Sequence, residues 1–217
     1  MIISGRMTLS NRPNINTGRV TVGRPKEFDR DRAVITVMNE IWEHGYEACS
    51  AKALSEKLGI TRSSFYNAFE SREKLFLEVL EIYNGPAPFR AWFPIDETSS
   101  VLKVISEKLH NICKTRISDN SARGCLMINS IAELVSRNKQ LGLALQDTFS
   151  TNVEYLEQLL NVAAERREIE KCDLHIKALA LQNVLIGLNV MSKVIRDEDE
   201  LWAATKHSLQ GLGLYSE

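Results

Sequence analysis

The sequence lacks the features that would assign it to a membrane, to a secretory route or to a disulfide scaffold. No apolar run approaches the roughly 20 residues of a membrane-spanning helix, and the first residues hold no continuous apolar signal-peptide core. The cysteines Cys49, Cys113, Cys125 and Cys172 form no C-x-x-C pair. We therefore expect a cytoplasmic protein with reduced thiols and no membrane partner.

Strand patterns and catalytic motifs are also missing. The chain has no alternating apolar and polar run typical of strands and no proline after Pro94, so its 217 residues, 44% of them hydrophobic, predict an all-α fold. It contains no H-E-x-x-H, G-x-S-x-G, Walker or glycine-rich dinucleotide motif, and its four histidines are scattered. We therefore predict no catalytic residue, no metal and no cofactor. An all-α enzyme or small-molecule carrier remains the alternative.

What the sequence does contain begins with a pattern of short helices. Apolar pairs recur every four residues across 29–44 and predict a first helix. Ser50 and Thr61 are suitable N-caps for a second and a third helix, which a turn at Gly59 separates. Two short helices joined by a glycine-containing turn are typical of a helix-turn-helix.

The remainder of the chain also has helical periodicity. A fourth helix begins at Ser71 and ends at the sequence NGPAP, because glycine and proline cannot continue it. After the loop that follows, helices are predicted near 98–117, 122–138, 142–168, 173–195 and 199–212.

The third predicted helix combines apolar anchors with an unusually polar outer face. Arginine makes bidentate contacts to guanine and asparagine to adenine in the major groove, whereas hydroxyl groups suit phosphate oxygens. Basic side chains near the next helix N-terminus would bind phosphate. The predicted DNA-binding residues of this region are Lys52, Thr61, Arg62, Ser63, Ser64, Tyr66, Asn67, Arg72 and Lys74.

These residues carry a family resemblance. The stretch LSEKLGITRSSFYNAFESREKLF resembles the DNA-binding domain of the tetracycline-repressor-like (TetR/AcrR) regulators, with a Gly-Ile-Thr turn, a Tyr-x-x-Phe helix and a following Ser-Arg-Glu-x-Leu start. The match extends over about 50 residues. Arg72 stands where the family usually has lysine, and Ala68 stands where histidine or tyrosine is common, so one usual contact is absent.

The resemblance implies a transcriptional regulator, most often a repressor, that binds a palindromic operator in double-stranded DNA as a homodimer. It also implies a C-terminal helical domain in which a small-molecule inducer binds. We therefore expect a basic arm over 1–22, a DNA-binding domain over 23–70 and a ligand-binding and dimerisation domain over 71–217. The segment IKALALQNVLIGLNVMSKV is apolar nearly all round, which suits a dimer helix buried on both sides.

The arm suggests a further contact with DNA. Residues 1–32 hold seven Lys and Arg against three Asp and Glu, although the whole chain has a net charge of -1. The sequence GRPK resembles the core of minor-groove peptides, so Arg24 is predicted to enter a minor groove beside the operator. The alternative is a solubilising tail.

The inducer pocket is predicted from polar residues on otherwise apolar helix faces and from aromatic residues of the loop after the fourth helix. The candidates are Trp92, Phe93, His110, Cys125, Met127, Asn129, Glu133, Phe149, Gln182 and Asn183. Most of them could equally belong to the core.

Cysteine and histidine offer two more hypotheses. Cys125 precedes a predicted helix and could react with oxidants or electrophiles, although a buried cysteine is more often a small core residue. The pairs His110/Cys113 and Cys172/His175 have the i, i+3 spacing of metal ligands, a spacing that is frequent by coincidence.

A third class of function is a protein that coats DNA without sequence preference. Such proteins are usually strongly basic, whereas this chain is close to neutral. Composition therefore argues against a protein that coats DNA.

Overall fold

The computed structural model describes residues 28–85, 95–96 and 98–216, and within these ranges it contains helices and no strand. The helices are α1 (Arg30–His44), α2 (Ala51–Leu58), α3 (Arg62–Phe69), α4 (Arg72–Asn84), α5 (Val101–Ser118), α6 (Leu126–Leu134), α7 (Lys139–Glu165), α8 (Leu174–Met191) and α9 (Glu198–Gly211). The predicted all-α class is confirmed. The arm with Arg24 and the loop residues Trp92 and Phe93 lie outside the described residues.

Side-chain caps define the helices of the N-terminal third. Asp29 accepts a hydrogen bond from the backbone N–H of Arg32 at the start of α1. Ser50 and Thr61 do the same for the third residue of α2 and α3 at 3.1 Å. Gly59 ends α2 with a φ of 67°, a left-handed conformation that glycine adopts without steric cost. The helix-turn-helix therefore follows from local sequence.

The N-terminal core is not confined to the first three helices. Phe65 and Phe69 of α3 pack with Phe76 of α4 in one buried cluster, and the same cluster includes Leu134 of α6 and Leu141 of α7. The boundary predicted at residue 70 divides this cluster. Helices α4 and α6 therefore belong physically to the core beneath the helix-turn-helix as well as to the C-terminal part.

A second cluster joins α5, α7, α8 and α9. Glu168, just after α7, accepts hydrogen bonds from Ser100 Oγ at 2.6 Å and from the backbone N–H groups of Val101 and Leu102 at the start of α5. Burial opposes ionisation of this carboxyl, but these hydrogen bonds outweigh it and lower the pKa of Glu168. Glu168 thus fixes the α5 N-terminus to the end of α7.

Helix α8 comes closer to membrane-spanning length than the sequence analysis expected, with a mean hydropathy of 1.3 over Leu174–Met191. It packs against α5, α7 and α9, with Leu181, Leu185 and Leu188 buried. Only 39% of the helix is buried within the single chain. One face therefore enters the core and another remains open.

Candidate nucleic-acid interface and ligand cavity

Helix α3 has an exposed polar face and a buried aromatic face. Phe65 and Phe69 are fully buried, with ring centroids 5.2 Å apart. Arg62 and Asn67 are exposed, and the Tyr66 side chain is 44% exposed while its ring meets the edge of Phe65. The buried rings hold the short helix in place. Its polar tips are thereby free to meet another surface.

Three hydroxyl groups form a small network at the N-terminus of α3. Thr61 Oγ1 lies 2.9 Å from the hydroxyl oxygens of both Ser63 and Ser64 while it caps the helix. All three residues are exposed. The network faces solvent at the positive end of a helix dipole, an environment that suits an anionic oxygen.

Arg72 does not point outward, as the predicted phosphate contact required. Its guanidinium lies 4.0 Å from the centre of the Tyr46 ring and donates to the backbone carbonyls of Tyr46 and Cys49. It also lies 3.7 Å from a carboxylate oxygen of Glu47. Because the loop before α2 offers these acceptors, Arg72 links α4 to that loop.

The other two basic candidates remain at the surface. Lys74 forms an ion pair with Glu70, and Lys52 lies 3.9 Å from Glu56 on the outer face of α2. Both lysines are exposed, so their partners can be exchanged for phosphate at little cost.

Glu133 lies away from the cavity between α4 and α8. Its carboxylate accepts hydrogen bonds from the backbone N–H groups of Tyr46 at 3.0 Å and Glu47 at 2.9 Å. The carboxylate of Glu133, on α6, is thus paired with the loop between α1 and α2. Glu133 therefore joins α6 to the helix-turn-helix domain. It also borders an open groove of about 720 Å³ that includes Asn129 and Lys193.

A partly open cavity of about 290 Å³ lies between α4, α5, α6, α7 and α8. The residues that line it are Tyr83, Asn84, Ile112, Arg116, Cys125, Met127, Ile128, Asn152, Gln182, Leu185 and Asn189. Cys125, Met127 and Gln182 are the sequence candidates that the structure brings together here.

A hydrogen-bond network forms one end of the cavity. Arg116 donates through Nε to Asn189 Oδ1 at 2.6 Å and through Nη2 to the Tyr83 hydroxyl at 3.2 Å. The Tyr83 hydroxyl in turn donates to Cys125 Sγ at 3.5 Å. Burial, followed by the nearby Cys125, raises the pKa of Tyr83. The phenol therefore stays neutral and acts as a hydrogen-bonding bridge between α4, α5 and α6.

Gly124 allows the start of α6 to approach α8 closely at this end of the cavity. Gly124, just before α6, has a φ of 68°, and a Cβ placed there would lie 2.8 Å from the carbonyl oxygen of Asn189. Any larger residue would push α6 away from α8. Cys125 follows directly and occupies the N-cap position of α6, where it is half-buried.

Gln182 provides the unpaired polar atom of the cavity. The residue is 2% exposed, and its Oε1 has no hydrogen-bond partner. The buried Asn152 amide, which also lines the cavity, donates to the sulfur of Met127 at 3.7 Å. A buried acceptor without a donor is costly, and such groups are therefore rare in folded proteins.

The remaining pocket candidates lie elsewhere. His110 stacks on Trp202 at 4.5 Å between α5 and α9, Phe149 borders a shallow apolar groove between α6 and α7, and Asn183 is exposed on the outer face of α8. Each of these three side chains therefore lies outside the cavity between α4 and α8.

The two metal-spaced pairs have separate partners. Cys113 is buried, with its Sγ 3.8 Å from Thr205 Oγ1, and His175 contacts Glu157 at 2.9 Å. Among the described residues, no three His, Cys, Asp or Glu side chains form a metal-like group.

Both the N-terminal and the C-terminal parts of the chain are similar to known proteins. A family model described as bacterial regulatory proteins of the tetR family matches residues 38–79, and a model of the tetracyclin repressor-like C-terminal domain matches residues 106–208. The repressor ComR of Escherichia coli K12 is 30% identical over 174 residues, which cover 79% of this chain and 82% of ComR. The chain belongs to the TetR family. It is a DNA-binding transcriptional regulator with the helix-turn-helix at α2 and α3.

Two further relatives extend this result. The regulator YezE of Bacillus subtilis 168 is 26% identical, with 83% of this chain and 94% of YezE covered. The TetR-family regulator CifR, as a cysteine mutant complexed with 26-bp double-strand operator DNA, superimposes with a TM-score of 0.76 at 28% identity. That match covers 87% of this chain and 98% of CifR.

Sequence reasoning did not identify four of the polar residues that line the cavity of this TetR-family regulator: Tyr83, Arg116, Asn152 and Asn189. The only available signal was their position on apolar helix faces, and many surface residues share it. Their convergence depends on how α4, α5, α7 and α8 pack.

Proposed function

We propose that a homodimer of this chain represses transcription in the cytoplasm by binding a palindromic operator, and that a small molecule in the cavity between α4 and α8 releases it. The observation that carries the proposal is the exposed polar face of α3 above a fully buried aromatic base. Arg62 and Asn67 are the candidates for base contacts, and the hydroxyl network at Thr61 together with Lys52 and Lys74 would contact phosphates. The ComR and CifR relatives support a repressor that binds operator DNA.

A stripe on α8 supports the dimer. Its residues recur at alternating intervals of four and three, the spacing of a two-helix seam: Ile176, Ala180, Asn183, Gly187 and Val190. Val194, three residues beyond the end of α8, continues the spacing. Ile176 is 61% exposed, Val190 49% and Val194 82%. A Cβ added at Gly187 would meet nothing within 4 Å, so a partner helix has room to approach. We infer that a second copy of α8 covers this stripe.

Two connections support communication between cavity and DNA-binding helix. Tyr83, at one end of the cavity, packs edge-on against Trp42 of α1 with ring centroids 5.1 Å apart. At the other end of α6, Glu133 holds the backbone of the loop between α1 and α2. A ligand that moves α4 or α6 would tilt α3 in both protomers. The two helices would then no longer match successive major grooves.

The test is selection of binding sites from a random duplex pool by the purified, reduced protein, followed by sequencing. We expect enrichment of a palindrome whose half-sites lie one or more helical turns apart. Failure to enrich any sequence, with protein shown to be folded and free of bound small molecules, would contradict the proposal. It would leave the carrier or enzyme alternative.

A further inference from the structure

We propose that the cavity binds a small, slender monoanion that carries a carboxylate at one end and an O–H or N–H donor at the other. The carboxylate would pair with Arg116, and the donor would bind Gln182 Oε1. This inference rests on the proposed function, because it specifies the chemical class of the effector. It concerns the cavity alone and can be tested without DNA.

The charge argument concerns Arg116. Its hydrogen-bond partners, Asn189 and Tyr83, are both neutral, and the aromatic ring of Trp42 lies 6.0 Å from its guanidinium carbon. None of the described residues that line the cavity is an aspartate or glutamate. A half-buried cation without a counter-charge is unfavourable, and a bound carboxylate would compensate it with two parallel hydrogen bonds.

The second end of the ligand is defined by Gln182. Gln182 lines the same cavity, and its Oε1 lacks a donor and is shielded from solvent. Its amide would therefore turn toward the cavity to accept a hydrogen bond from a ligand. A hydroxyl or amine hydrogen from the ligand would remove the cost of this unpaired acceptor. Because a site built this way rejects analogues that lack the donor, Gln182 should determine specificity.

The distance between the two ends limits the length of the ligand. Asn189, which holds Arg116, is seven residues after Gln182 on α8, so the two positions are about 10.5 Å apart along the helix axis. Hydrogen bonds of about 2.9 Å at both ends reduce this axial separation to roughly 5 Å. Because Arg116 lies on α5, beside α8, the lateral offset lengthens the path, and we take about 5–10 Å as the range between the polar groups of the ligand. The cavity volume of about 290 Å³ also excludes large effectors.

Occupancy would act on the connection to the DNA-binding domain. A carboxylate bound end-on to Nη1 and Nη2 of Arg116 would share Nη2 with the Tyr83 hydroxyl and draw the guanidinium away from it. Tyr83 is also the residue that packs on Trp42 of α1. The ligand would therefore change the contact between α4 and α1 at the point where the cavity meets the N-terminal core.

The experiment measures the thermal unfolding midpoint of the full chain with four matched pairs of small molecules and no DNA. The carboxylates are para-hydroxybenzoate and para-hydroxyphenylpropanoate, which cover the expected lengths. Benzoate and phenylpropanoate lack the donor, the corresponding amides lack the charge, and the corresponding amines invert it. We expect at least one hydroxylated carboxylate to raise the midpoint more than its three analogues.

Variants then assign each end. In Gln182→Leu, the hydroxylated carboxylate should lose at least tenfold in affinity and bind no better than its analogue without the hydroxyl. Gln158→Leu, on the exposed face of α7, is the control and should change nothing. In Arg116→Gln, the preference for carboxylate over amide should disappear, and Arg116→Lys should retain part of it. Gln182→Leu keeps the test valid if Arg116→Gln fails to fold.

Equal binding of amines or amides, an unchanged affinity in Gln182→Leu, or no stabilisation by either hydroxylated carboxylate would overturn the inference. These outcomes are distinct from failure of the proposed function. Operator selection without carboxylate binding would refute only the ligand class. Carboxylate binding without operator selection would refute only the DNA-binding role.

Discussion

The two ends of this regulator use polar side chains in opposite ways. Beneath the helix-turn-helix, polar groups are paired: Arg72 and Glu133 bind the backbone of the loop before α2, while Arg62 and Asn67 point to solvent. In the C-terminal half, Arg116 and Gln182 line a partly open cavity, and the apolar α8 stripe faces outward. Under the proposed function, the first half docks onto DNA. A ligand and a second copy would complete the second half.

The largest expected effect comes from placing a charge in the α8 stripe. Val190→Glu should convert the proposed dimer to a monomer, because two carboxylates would meet in the seam. Since one protomer then binds one half-site, operator affinity should fall on the order of 10²-fold. Sedimentation of the purified protein and DNA titration measure the two effects. Leu143→Glu, at an equally exposed leucine on α7, is the matched control and should leave both unchanged.

The next effect separates base recognition from phosphate contact. Arg62→Ala should cost about 1–3 kcal/mol of operator binding and relax one base position, because a bidentate contact to guanine is lost. Arg62→Lys retains the charge but lacks the two parallel N–H donors of the guanidinium, so it should also relax that base position. Tyr66→Phe should weaken all sites alike. If Arg62→Lys kept full sequence preference, Arg62 would contact only phosphate.

A smaller effect tests the connection between the two halves. In Glu133→Gln, one of two charge-assisted hydrogen bonds to backbone N–H groups is lost, so the free energy of unfolding should fall by about 1–2 kcal/mol. Urea unfolding measures this change. Glu154→Gln, at an exposed position on α7, should have no effect. An equal loss in both variants would mean that the Glu133 contacts contribute nothing specific.

The smallest effect depends on pH. The pKa of Glu168 is lowered in the folded chain, so its stabilisation is complete above its ordinary pKa of about 4.3 and is lost as the pH falls through the lower folded value. Glu168→Gln should therefore be less stable than the wild type by about 1 kcal/mol at neutral pH. The difference should shrink between about pH 4.5 and 3. A difference that stays constant with pH would contradict the ionised cap.

Local sequence was sufficient to predict helix ends, where a single residue determines the turn. The caps at Asp29, Ser50 and Thr61 follow from short-range hydrogen bonds, and the alternation of buried Phe65 and exposed Tyr66 follows from helical periodicity. The fold class and the outward face of α3 could therefore be predicted.

The cavity could not be predicted to the same extent, because its polar residues meet only through packing. Glu133, Gln182 and Asn183 gave the same signal, a polar side chain on an apolar helix. The structure gives Glu133 backbone donors, leaves Gln182 unpaired in the cavity and exposes Asn183 on the stripe. Arg116 meets Asn189 across 73 positions of sequence, a contact that no local pattern encodes.

The most direct test of sequence reading by α3 is a parallel selection from a random duplex pool with wild type and Asn67→Ala. Asn111→Ala, at an exposed position on α5, is the control. Our account predicts the same palindrome for all three proteins, with one base of each half-site relaxed only in Asn67→Ala. An unchanged preference at every position in Asn67→Ala, or no enriched site for the wild type, would contradict it.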